Sequence, residues 1–342
     1  MSIDGPFPVL AGLALLVSAT GLLAAAWDGR RALGRTALLV AVVLAVLGTA
    51  ALQLNRLTAI YPSWSALVGS AGDGAPTTLP ATTPGSGRSR LVRVTVAGRA
   101  GGMSMPMTVY LPAAYDTPSG RRLRFPVITA LHGYPGTPDS WIRRLDITAH
   151  LDREITAGRM APTVVLLPYH TPRRLLDTEC TNLTGGPQAE TYLTRDVRQW
   201  ATAHLRVRTD RAGWALIGYS SGGFCALNLA LKHPDLYAAA ASLSGEPEPG
   251  IRVGDGSEKT TNSVTWRLRN QPPPPIALYL GWSADESRAR LGSQRVARLA
   301  RAPLAVTTAT VSEGGHSHAT WRALEGPALD WLSAHLARPR PV

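Results

Sequence analysis

Two stretches near the start of the chain are apolar on every side. Residues 8–27 and 36–54 hold no charged side chain. Each is about 20 residues long, the length a helix needs to cross a hydrocarbon core of about 30 Å. Neither has the polar face of a helix that packs on a soluble core, so a transmembrane hairpin is expected. A cleaved leader fits poorly, because "MSIDGPFP" carries an acid and no base, where an export signal needs positive charge.

From residue 90 the pattern shortens. "LVRVTVAG" and "MTVYLPAAY" alternate apolar and polar positions, as half-buried strands do. "FPVITALHG", "TVVLLPYH", "GWALIGYS", "YAAAASLSG", "IALYLGW" and "AVTTATVSEG" supply six further strands. Helical patterns fall between or after them, at 140–157, 189–205, 221–233, 287–302 and 320–337. Strands alternating with helices predict an α/β fold: a doubly wound, mostly parallel sheet covered on both faces. The first two strands, adjacent in sequence, predict an antiparallel edge.

Charge orients the hairpin. Between the apolar stretches lie Arg30, Arg31 and Arg35, and the outer flanks hold only Arg56 close by. By the positive-inside rule the arginine loop is cytoplasmic, so both ends of the hairpin and all that follows face outward. Tyr61 and Trp64 suit the outer interface. Residues 69–89, rich in Gly, Pro, Ser and Thr, read as a flexible tether. The expected plan is therefore a membrane hairpin and interfacial segment at 1–68, a linker at 69–89 and the α/β domain at 90–342. The formal charge of +12 comes almost wholly from scattered arginines, with Lys232 and Lys259 the only lysines. Without a basic run or interleaved aromatics, nucleic acid is not an expected partner.

The chemistry gathers at the strand ends, where ligands bind in open α/β sheets. Gly218-Tyr219-Ser220-Ser221-Gly222 is G-x-S-x-G between a strand and a helix, a turn that exposes the central serine as a nucleophile. Ser221 competes, but the register places it at an x position. The base expected after the last strand is His316, nearer the sheet than His318. Asp285 is the expected acid, with Glu286 as the alternate; either also suits the first turn of the following helix. The chain order Ser220, Asp285, His316 matches the serine, acid, histidine order of the hydrolases with this turn. The Tyr134 and Ser221 amides are expected to form the oxyanion hole, and His132 and His170 to shape the pocket. Cys180 and Cys225, the only cysteines, predict one disulfide in an oxidising exterior. No metal-ligand spacing is present, and no cofactor is expected. The stretch "GSEKTTNSVTWRLRNQPPPP" is expected to act as a lid and acyl-pocket wall.

"LHGYPG", "LIGYSSGGFCALNLALKHPDLYAAAASLSG" and "GGHSHATW" resemble the esterase branch of the α/β-hydrolases, which includes esterase D-type hydrolases, siderophore esterases and mycolyltransferases. The resemblance spans roughly residues 91–336. It implies Ser220 as nucleophile, His316 as base and acyl transfer through a serine ester, and Trp321 also fits the branch. The expected function is a membrane-anchored, extracytoplasmic serine esterase acting on a lipid-linked or cell-envelope ester. An acyltransferase of the mycolyltransferase type and a catalytically inactive envelope-binding scaffold are the alternatives.

Overall fold

The structure is a computed structural model and describes residues 6–25, 27–29, 32–58, 87–173 and 176–342. Arg30, Arg31, Tyr61, Trp64 and all of the expected tether up to residue 86 lie outside the described residues. The chain divides into two compact units, Met1–Asp73 and Gly74–Val342.

In the first unit, α1 (Pro6–Ala25) packs against α2 (Ala32–Thr58). Their close approach is made at Gly12, where a Cβ would stand 2.6 Å from Thr49 Oγ1. The outer faces are apolar, with Leu15, Val17, Val43 and Leu47 exposed. Mean hydropathy reaches 2.1 in α1 and 2.4 in α2, and both are long and apolar enough to cross a membrane.

The second unit is built on an eight-stranded sheet in the order β1-β2-β5-β4-β6-β7-β8-β9. β1 (Arg90–Ala97) and β2 (Ser104–Leu111) form the expected antiparallel edge, and β2 also runs antiparallel to β5 (Val164–Pro168). β4 (Val127–Leu131), β6 (Trp214–Tyr219), β7 (Ala239–Leu243), β8 (Ala277–Ser283) and β9 (Ala305–Val311) continue in parallel from β5. β4 to β8 are buried along their whole length, which is why they read as unbroken apolar runs and not as alternations. Helices cover both faces, and two buried clusters result. One includes Phe125, Trp214 and Phe224, and the other includes Trp141, Tyr219 and Trp321. A short ribbon pairs β3 (Leu123–Arg124) with β10 (Arg340–Pro341), which two-residue strands give no pattern to predict.

Two expectations are corrected. The helix expected over 140–157 is broken into Asp139–Arg143 and Ile147–Thr156. Asp146 sits at the break with φ 66°, a left-handed conformation no helix interior tolerates. The expected lid contains a helix, Val264–Asn270, whose Val264 and Leu268 are buried in the main core. That stretch is structural, because pulling it away would expose core side chains.

The glycines beside Ser220 are dictated by packing. A Cβ on Gly222 would stand 2.2 Å from the carbonyl oxygen of Leu131, and one on Gly218 would stand 1.9 Å from that of Gly222. Backbone cannot move aside as a flexible side chain can. Gly222→Ala is therefore expected to destabilise the unit by roughly 3 kcal/mol or more, read as a lowered denaturant midpoint with an unchanged slope.

Candidate active site

Ser220 closes β6 and opens the helix Ser221–Lys232. Its φ is 55°, a left-handed value rare outside glycine and costly by about 1–3 kcal/mol. The surroundings hold it there: its amide donates to the Leu243 carbonyl at 2.9 Å, and its carbonyl accepts from Gly223 N–H at 2.9 Å. The corner lifts the side chain off the sheet edge, and Ser220 Oγ lies 2.8 Å from His316 Nε2. His316 follows Gly314 (φ 124°) and Gly315 (φ 57°), which turn the chain back over the sheet after β9. Trp321 braces the imidazole edge to face at 4.9 Å and stacks on Tyr219 at 4.6 Å. His318 packs against Trp321 with ring centroids 5.0 Å apart, and the hydroxyl of Ser220 is bonded to His316 instead.

The carboxylate against the imidazole is Glu286, whose Oε1 bonds His316 Nδ1. Its Oε2 accepts from Ser244 Oγ at 2.7 Å. Asp285, the preferred acid from sequence, faces the loop instead. It accepts from Gly315 N–H at 2.9 Å, from Gly314 N–H at 3.2 Å and from the Ser283 hydroxyl. The Ser283 hydrogen bond, then the Gly315 amide, hold its carboxyl below the ordinary aspartate value. Both acids thus serve one turn: the shorter fastens the loop that carries His316, and the longer reaches the ring. Chain order cannot separate neighbours, whereas side-chain length does.

Tyr134 and Ser221 line the same cavity as Ser220 and His316, a space of about 200 Å³. Ser221 is the first residue of its helix, so its N–H has no carbonyl partner within the helix. His132 and His170 are not walls of this cavity. Both are fully buried and stack on each other at 4.0 Å. His132 Nδ1–H donates to the Gly133 carbonyl at 2.8 Å, and His170 Nε2–H donates to that of His132 at 3.1 Å. Burial pushes His132 down to about 4 and His170 well below its ordinary value, so both stay neutral. They support the Tyr134 loop from behind.

Sequence reasoning missed the opposite wall. Asp177, Glu179, Glu246 and Glu248 line it. The signal was present in "DTEC" and in "GEPEPG", where acids sit in loops next to the nucleophile's helix and just past β7.

Cys180 and Cys225 are joined, with Cα atoms 5.5 Å apart, and tie the Asp177–Glu179 loop to the Ser220 helix. Among the described residues one cluster gathers metal-ligating atom types, His170 with Cys180 and Cys225, and its two sulfurs are bonded to each other. The bridge closes 45 residues, so Cys180→Ser/Cys225→Ser is expected to cost about 3–4 kcal/mol in unfolding free energy on the chain-entropy model. Equilibrium denaturation of the two forms checks this.

Comparison with known proteins places this geometry. The family model described as "Putative esterase" matches residues 99–325. An uncharacterized protein of Corynebacterium glutamicum is 28% identical over 247 residues, covering 66% of this chain and 56% of its own. An esterase of Mycobacterium tuberculosis is 31% identical over 144 residues, covering 42% of this chain and 30% of its own. The chain thus spans about half or less of the length of these relatives. A ferulic acid esterase structure superposes with a TM-score of 0.63 at 18% identity, covering 73% of this chain and 99% of that one, which shows a shared fold. The chain belongs to this esterase family, and its second unit has the α/β-hydrolase fold.

Proposed function

We propose that the chain is a serine carboxylic ester hydrolase, held in the cell membrane by α1 and α2 with its hydrolase unit on the extracytoplasmic side. The observation that carries the reading is the hydrogen-bonded series Ser220 Oγ, His316 Nε2, His316 Nδ1 and Glu286. A serine hydroxyl is a weak nucleophile until a base takes its proton. His316 takes it at Nε2 as Ser220 Oγ bonds to the ester carbonyl carbon. Glu286 holds the Nδ1–H tautomer and stabilises the imidazolium that forms. The Tyr134 and Ser221 amides receive the oxyanion. Collapse breaks the bond to the leaving alcohol, which takes the proton from His316. Water repeats the sequence on the acyl-enzyme and releases the acid.

A disulfide persists in oxidising compartments, and the Cys180–Cys225 bridge supports the outward placement. Digestion of the hydrolase unit by protease added to intact spheroplasts is the expected result; protection would place it in the cytoplasm. A unit tethered beside a membrane supports a lipid-linked or cell-envelope ester as substrate.

The function is tested by rapid quenching with p-nitrophenyl butyrate. A burst of nitrophenol is expected, with a butyryl group on the Ser220 peptide by mass spectrometry. No turnover, or turnover with Ser220 unmodified, would refute the hydrolase. Release of the acyl group to an added sugar alcohol in preference to water would mark an acyltransferase.

A further inference from the structure

The cavity is established as a ligand site by the Ser220–His316 pair in its wall, independently of its charge. That charge is one-sided. Asp177, Glu179, Glu246 and Glu248 line it, against one cation among the described residues, Arg288. Arg288 is committed to Glu246 at 2.9 Å, and its side chain is 82% exposed. Glu248 accepts from the Thr265 hydroxyl. Asp177 and Glu179 form no ion pair among the described residues. Among the described residues Asp177 Oδ1 takes the Glu179 amide at 2.9 Å and a long contact from Ser221 Oγ at 3.5 Å. Glu179 accepts from Gly250 N–H at 2.7 Å and is 8% exposed.

Two acids in the wall of the nucleophile's cavity, Asp177 half-buried and Glu179 buried, with no ion-pair partner among the described residues, form an expensive arrangement. Burial, then the nearby Asp177, pushes Glu179 up to about 8, and burial also raises Asp177. An arriving cation would relieve that cost. A neutral or anionic ester would leave it in place, and an anionic one would add repulsion from the remaining acids.

We propose that the ester taken by this cavity carries a positively charged nitrogen, held by Asp177 and Glu179 while Ser220 attacks the carbonyl. The inference rests on the esterase reading and narrows its substrate class. The nitrogen belongs either to the acyl group or to the alcohol, and the two sources are separable with isosteres. On the acyl side, p-nitrophenyl β-alaninate is compared with p-nitrophenyl butyrate. On the alcohol side, butyrylcholine is compared with 3,3-dimethylbutyl butyrate. The full-length protein is assayed in detergent.

In one of the two pairs kcat/KM is expected to favour the cation by about tenfold or more, the scale of a hydrogen bond to a charged group. Asp177→Asn and Glu179→Gln are each expected to cut that preference severalfold, and added salt to weaken it. The readout is the ratio within a pair, so a general loss of rate does not imitate it. Fluorophosphonate labelling of Ser220 verifies that each variant is folded. Equal rates within both pairs, or a preference that survives both variants, would overturn the inference while leaving a labelled, ester-cleaving Ser220 intact. Loss of labelling and of turnover on every ester would instead overturn the esterase reading itself.

Discussion

Replacing Ser220 by alanine is expected to lower kcat/KM for p-nitrophenyl butyrate by about 10⁴-fold or more, because no other group takes over bond formation to the acyl carbon. His316→Ala should cost a similar factor, and the double variant should be no worse than either single one. That non-additivity is the mark of a unit: without the base the hydroxyl does not attack, and without the hydroxyl the base has nothing to deprotonate. Stability should move the other way from activity in a further variant, Ser220→Gly. Ser220 sits at φ 55°, so Ser220→Gly relieves strain and is expected to raise unfolding free energy by about 1 kcal/mol while abolishing turnover. Calorimetry on Ser220→Ala and Ser220→Gly, set beside their rates, reads both effects.

The second large effect separates the neighbouring acids. Glu286→Gln is expected to lower kcat by about 10²–10⁴-fold. The carboxylate accepts from two donors, His316 Nδ1–H and the Ser244 hydroxyl. Glutamine has one acceptor atom and one donor group. If its NH₂ faces the imidazole, the ring proton moves to Nε2 and His316 no longer accepts from Ser220. If its NH₂ faces Ser244, the tautomer survives but the charge that stabilises the imidazolium is gone. Asp285→Asn is expected to cost less than about tenfold, since it loosens the Gly314–Gly315 turn and leaves the ring its partner. Steady-state kinetics on the two variants check the order. The reverse order would reassign the acid to Asp285.

All eight strands of the main sheet are legible, because strands buried on both faces need apolar runs and the edge strands need alternation. The short β3–β10 ribbon and the break at Asp146 leave no such trace. Asp146 takes a left-handed conformation without the glycine that would announce it. The stretch expected as a lid, between β7 and β8, carries mostly polar residues and prolines, and its sequence does not announce that Val264 and Leu268 are buried in the core. At the site, the turn around Ser220 is legible because Gly218 and Gly222 are forced by close backbone approach. Glu286 over Asp285 is a matter of reach across a turn, which chain order does not encode. His132 and His170 show the converse: their place beside the catalytic loop suggested a pocket, while the fold buries them as a neutral stacked pair behind it. The acidic wall leaves no trace in the sequence order because Asp177 and Glu179, more than 40 residues before Ser220, join its cavity through the folding of their loop and the Cys180–Cys225 bridge.

The most direct test of the Ser220–His316–Glu286 series is mass mapping of a fluorophosphonate adduct on the full-length protein. A single adduct on Ser220 is expected, formed far more slowly in His316→Ala and Glu286→Gln and at near wild-type rate in Asp285→Asn. An adduct on Ser221 or elsewhere, or labelling of Ser220 at an unchanged rate without His316, would contradict it.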